Sequence, residues 1–96
     1  MLAYYPMIRW ARSATKHRVA RARSGFVIEH CGLLFRVPSP AGRSDERLLF
    51  LGDDGDGVAL EVMAGELKDG DLYVIHAMDL RERYRPQYEE AKRWRV

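Results

Sequence analysis

Three apolar runs joined by turns too short to hold a helix occupy the middle of this 96-residue chain. They are Arg47–Gly52 (RLLFLG), Gly57–Leu67 (GVALEVMAGEL) and Asp71–Met78 (DLYVIHAM), with DDGDG and KDGD at the connections. Closely spaced strands with such turns pair antiparallel. Asp69-Gly70 is a strong two-residue hairpin signal, because both central positions of that turn need a positive φ. With Asp69-Gly70 as the turn, Lys68 pairs with Asp71, Met63 with His76, and Glu61 lies opposite Met78. One face then carries Glu61, Met63, Gly65, Leu67, Leu72, Val74, His76 and Met78, and the other Val62, Ala64, Tyr73, Ile75 and Ala77. Glu61 and His76 are the polar intrusions, on one side and within reach of each other.

The rest of the chain supplies helices and one more strand. Leu33–Val37 reads as a strand, followed by a loop rich in Pro, Gly and Ser (PSPAGRSD, 38–45). Ala11–His17 lacks Gly and Pro and reads as a short helix. Val19, Ala22, Phe26, Val27 and His30 at helical spacing predict an amphipathic helix over Ala20–Cys31, with Gly32 as its C′ residue. Asp79 can cap a closing helix with Glu82 three residues on; its stripe is Leu80, Tyr84, Tyr88, Ala91 and Trp94, with a kink or a two-part helix expected at Pro86. The expectation is one α+β domain over residues 1–96: two N-terminal helices, a four-stranded mainly antiparallel sheet and one C-terminal helix.

Charge is distributed unevenly. Residues 1–24 hold six basic residues and no acid; residues 53–71 hold seven acids against Lys68 alone; residues 79–96 hold six basic residues against four acids. If the fold joins the two ends, they form one positive face suited to a polyanion, RNA above all. No apolar run approaches the roughly 20 residues of a membrane span, and MLAYYPMIRW has no basic segment followed by an apolar one, so neither a membrane nor a secretory leader is expected. The lone Cys31 favours a reducing, cytoplasmic setting and reads as a small buried hydrophobe. His17, His30, His76 and Cys31 lack metal-ligand spacing, and no Walker loop, dinucleotide fingerprint or nucleophile elbow occurs, so no cofactor or metal is expected.

Taken in order, Lys16-His17, the VIHA strand and the closing RERYRPQYEEA resemble the BrnT branch of the RelE-type toxins, ribonucleases of bacterial toxin–antitoxin pairs. That family carries a KHG-like signature early, a last strand like IISAR and a closing helix like KRERRQYEE. Arg18 stands where the family has glycine, His76 where it has serine and Met78 where it has arginine. The resemblance implies a RelE-like fold, a cytoplasmic toxin that cleaves mRNA, with or without the ribosome, and a cognate antitoxin partner.

Metal-free RNA cleavage needs a base for the 2′-OH, an acid for the leaving oxygen and cations for the phosphoryl charge. The candidates are Lys16, His17, Glu61, His76, Arg83 and Arg85 for catalysis, with the histidines moving protons and Lys16, Arg83 and Arg85 gripping phosphate. Arg12, Arg18, Arg81, Tyr84, Tyr88 and Arg93 are candidates for RNA binding, with Tyr84 or Tyr88 stacking on a base. Plainer roles stand beside these. His76 can be a core histidine, His17 a helix-end residue, and Glu61 the ion-pair partner of a closing-helix base; Tyr84 and Trp94 suit a core or an interface. A non-catalytic nucleic-acid-binding or antitoxin-binding module, a helix-turn-helix DNA reader and a homo-oligomeric scaffold using Tyr4, Tyr5, Trp10 and Trp94 remain as alternatives.

Overall fold

A computed structural model describes residues 7–31, 33–38, 46–67 and 69–94; most of the 38–45 loop, and Tyr4, Tyr5, Gly32 and Lys68, lie outside them. In chain order come β1 (Ile8–Trp10), a 3-10 turn (Arg12–Thr15), α1 (Arg21–His30), β2 (Leu34–Pro38), β3 (Glu46–Asp53), β4 (Ala59–Glu66), β5 (Leu72–Asp79), a second 3-10 turn (Glu82–Tyr84) and α2 (Arg85–Arg93). The strands form one mixed sheet in the order β1-β5-β4-β3-β2, antiparallel except for the parallel pair β1 and β5.

This corrects the expected two N-terminal helices and four-stranded sheet: the described residues form five strands and two α-helices, one of them C-terminal. Ile8–Trp10 form a strand because they pair with Leu72, Tyr73 and Val74, a contact across the domain that no local pattern announces. Ala11–His17 makes a single 3-10 turn and not a helix. Arg18 follows it in the left-handed region at φ 65°, which ends any helical run.

Strand alternation sorts the core into two layers. Leu48, Phe50, Leu60, Val62, Ala64, Leu72, Val74 and Ala77 point to one face and pack with Val27 and Ile28 of α1, and with Ala14 and Val19. Leu49 and Leu51 point the other way and pack with Tyr88 of α2. The helices therefore cover opposite faces. The predicted apolar side of α1 is rotated: Ser24, Gly25, Val27 and Ile28 are buried, whereas Ala22, Phe26 and His30 are exposed. Small residues at 24 and 25 let the helix approach β1, where the Trp10 indole N–H donates to Ser24 Oγ at 3.0 Å. The closing helical segment comes in two parts, one of the two outcomes expected at Pro86: the 3-10 turn Glu82–Tyr84 runs directly into α2, and Pro86 sits in the first turn of α2, where its missing N–H costs nothing.

The β4–β5 hairpin departs from simple alternation at one place. Leu67 N–H donates to the Asp71 carbonyl and Glu66 pairs with Leu72, so the loop is one residue longer than the two-residue reading, with Gly70 at φ 90°. A β-bulge at Ile75 then restores the register, so that Met63 pairs with His76 and Glu61 with Met78. Below the bulge the faces are exchanged relative to expectation: Leu72 and Val74 are buried under α1, and Tyr73 emerges beside Gly65 on the α2 side.

Candidate active site

The bulge at Ile75 does more than reset the register. β1 stops at this point, its last link being Ala11 N–H to the Val74 carbonyl at 2.8 Å. At the bulge, Ser13 Oγ donates to the Ile75 carbonyl at 2.7 Å. The Arg12–Thr15 turn is thereby fastened alongside the upper half of β5, with Ala14 and Val19 anchored in the core. His17 is set against His76, the ring centroids 5.4 Å apart and the planes inclined at 68°. Bulges commonly re-aim side chains in this way beside functional sites.

Glu61, on β4, is the group beneath the pair. Its side chain is fully buried, a cost of several kcal/mol for an unpartnered carboxylate. Arg81 supplies the partner: Nη2 lies 2.6 Å from Oε2, Nε 3.0–3.1 Å from both oxygens, and the Arg81 backbone N–H donates to Oε1 at 2.9 Å. His76 Nε2 completes the set at 3.3 Å from Oε2. Burial works to raise the Glu61 pKa, but the Arg81 side-chain and backbone hydrogen bonds, the guanidinium charge and the His76 contact outweigh it. The carboxyl is held below its ordinary range. Arg81 is correspondingly pushed above its usual value, chiefly by the Glu61 hydrogen bonds.

An ionised carboxylate can only accept, so the Nε2 that faces Glu61 carries the hydrogen. Neutral His76 thus has its lone pair on Nδ1. Its pKa is lowered, first by desolvation and further by the charges of Arg81 and His17, against the raising effect of Glu61. A neutral imidazole, one-quarter exposed and held in one tautomer by a buried carboxylate, is equipped to take a proton. His17, exposed beside it, is placed to give one.

The other sequence-selected residues fall into two groups. Arg12, Lys16 and Arg18 are exposed on the segment that carries His17, and none of them forms an ion pair with a described residue. Arg83 stacks over Tyr84 at 5.1 Å, as does Arg81 at 5.7 Å; Arg85 lies over Tyr88 at 5.4 Å and 3.7 Å from Glu82. The remaining two are turned to structural use. Tyr88 is buried between α2 and β3 with its hydroxyl donating to Asp53 at 2.5 Å, and Arg93 pairs with Glu90 on the exposed end of α2. Sequence reasoning missed Ser13, whose part depends on a bulge; Arg81, a candidate for RNA binding, forms an ion pair with Glu61 while its side chain stays 40% exposed. No family model, curated protein or solved structure matches this chain.

Proposed function

We propose that this chain is a metal-independent endoribonuclease, acting in the cytoplasm as the toxin of a bacterial toxin–antitoxin pair of the BrnT/RelE kind. The observation that carries the reading is the contact of His17 with His76 above the buried Glu61–Arg81 pair. Two adjacent imidazoles, one orientated by a carboxylate, are what in-line attack by a 2′-OH requires. His76 Nδ1 takes the 2′-OH proton, O2′ bonds to phosphorus, and the bond to the 5′-oxygen breaks as His17 protonates that oxygen. The products are a 2′,3′-cyclic phosphate and a 5′-hydroxyl. Lys16, next to His17 in the chain, and Arg83 and Arg85, which follow Arg81, are the cations this reading assigns to the phosphoryl oxygens. Among the described residues no three His, Cys, Asp or Glu side chains gather where a metal ion could sit. The left-handed Arg18, where the family has glycine, also agrees with the reading.

Purified protein in excess chelator should cut unstructured RNA to those end groups, and a strand carrying 2′-deoxyribose at the cleaved position should resist. Intact RNA after prolonged digestion would refute cleavage. In cells, induction should arrest growth, and alanine at Arg83 plus Arg85 should relieve the arrest. A second reading, nucleic-acid binding without cleavage, is favoured by Met78 in place of the family arginine and by the commitment of Arg81 to Glu61. It predicts RNA retention that weakens steeply with salt and no new end groups.

A further inference from the structure

The α2 side of the sheet is covered over β3 and open over the lower half of β5. Tyr73 stands there, 40% exposed, and neither its ring nor its hydroxyl has a partner among the described residues. Across the strand pair lies Gly65. Among the described residues a Cβ built on Gly65 would meet only Ile75 Cδ1, at 3.9 Å, so the described part of the sheet beside Tyr73 forms a bare bed. Leu67, also exposed, follows on from the same strand end. Tyr73 is three residues before His76 on β5 and shares its face because the bulge intervenes. Their partners Gly65 and Met63 are two residues apart on β4, so at about 3.3 Å per residue the two positions lie about 7 Å apart along the sheet. On the neighbouring β1 strand Arg9 pairs in register with Tyr73, and its guanidinium, 53% exposed, is held by Asp71 at 3.2 Å. Exposed basic residues Arg12, Lys16 and Arg18 continue from β1 toward His17.

An exposed aromatic on an open sheet, with cations along one border, suits a base of a single-stranded nucleic acid better than an apolar partner. Tyr84 and Tyr88, in contrast, have their rings taken by arginines and by the core. We propose that Tyr73 is a base-stacking subsite: single-stranded RNA runs across the β5 face, with one base on Tyr73 and Gly65 and a neighbouring phosphate at the His17–His76 pair. This rests on the ribonuclease reading and adds to it a specified binding position.

The test uses the full chain and a short single-stranded RNA made uncleavable by 2′-O-methylation, together with a set in which one base at a time is removed. Base stacking is worth about 1–3 kcal/mol, so Tyr73→Ala should raise the Kd by roughly 5-fold to 150-fold, Tyr73→Phe should bind like wild type, and Gly65→Leu should weaken binding by filling the bed. In wild type, one abasic position should cost affinity; in Tyr73→Ala that same position should cost nothing further. If wild type binds and cuts RNA but Tyr73→Ala binds equally well, or every abasic position costs the variant as much as wild type, the subsite is refuted and the ribonuclease reading stands. If wild type binds no RNA at all, both fall.

Discussion

The two faces of the β4–β5 hairpin are made from the same two strands and have opposite characters. The side under α1 carries Leu60, Val62, Ala64, Leu72, Val74 and Ala77, all fully buried and all apolar. The side toward α2 carries Glu61, Met63, Gly65, Tyr73, His76 and Met78, of which Glu61 alone is fully buried. The first face holds the domain together by area removed from water. The second has one carboxylate taken out of water at considerable cost, stabilised by an arginine, and a histidine pair resting on it. Separating the two jobs by the pleat lets the chemistry vary without disturbing the core, and each variant below should affect one face and spare the other.

The largest effect belongs to the histidines. His76→Ala should lower the rate of RNA cleavage by about 10²–10⁴-fold, the usual worth of a positioned acid or base, with a circular dichroism spectrum and Tm close to wild type. A comparable loss accompanied by unfolding would mean that the open face also holds the fold. Next is Phe50→Ala on the closed face. Phe50 is fully buried under α1, so urea unfolding should show a loss of about 3–5 kcal/mol, while the cleavage rate per folded molecule stays unchanged.

Arg81→Ala strikes the support of the open face. It leaves Glu61 buried without its cation and should cost about 2–3 kcal/mol, less than for a wholly buried pair because the Arg81 side chain is 40% exposed. The pH dependence sharpens this. In wild type both Glu61 and His76 have lowered pKa values, so their contributions are present above the unfolded values, about 6.5 for the imidazole and the ordinary carboxylate range for Glu61. They are lost as pH falls through the folded ones. In the variant, burial of Glu61 is unopposed, its pKa rises, and its charged form becomes the liability. The stability gap between the two proteins should therefore narrow as pH falls from 7 to 4; a gap that widens contradicts the pairing. The smallest effect is Arg18→Gly. It removes a non-glycine residue from φ 65° and should raise stability by up to about 1 kcal/mol.

Strands β2 to β5 were legible in the sequence as apolar runs bounded by Gly, Asp and Pro, but Leu72 and Val74 of the closed face were assigned to the opposite side; the cross-strand approach of Glu61 and His76 followed from the turn. That last success depended on two departures that cancel: the loop is one residue longer than Asp69-Gly70 implies, and the Ile75 bulge takes up the difference. Alternation alone could not reveal this, because Tyr73, Val74 and Ile75 are all strand-formers that suit either face. It therefore misplaced Tyr73, the residue on which the proposed stacking subsite rests. β1 was hidden for another reason. Three residues, Ile8, Arg9 and Trp10, gain their strand character by pairing with β5, more than 60 positions away.

The central claim is that His17 and His76 form one coupled proton-handling pair supported by Glu61, and histidine-resolved NMR titration tests it most directly. His76 should titrate below 6.5, with its neutral form protonated at Nε2, and His17→Ala should raise that value by removing the neighbouring positive charge. A His76 that titrates above 6.5, or one indifferent to the loss of His17, would contradict it.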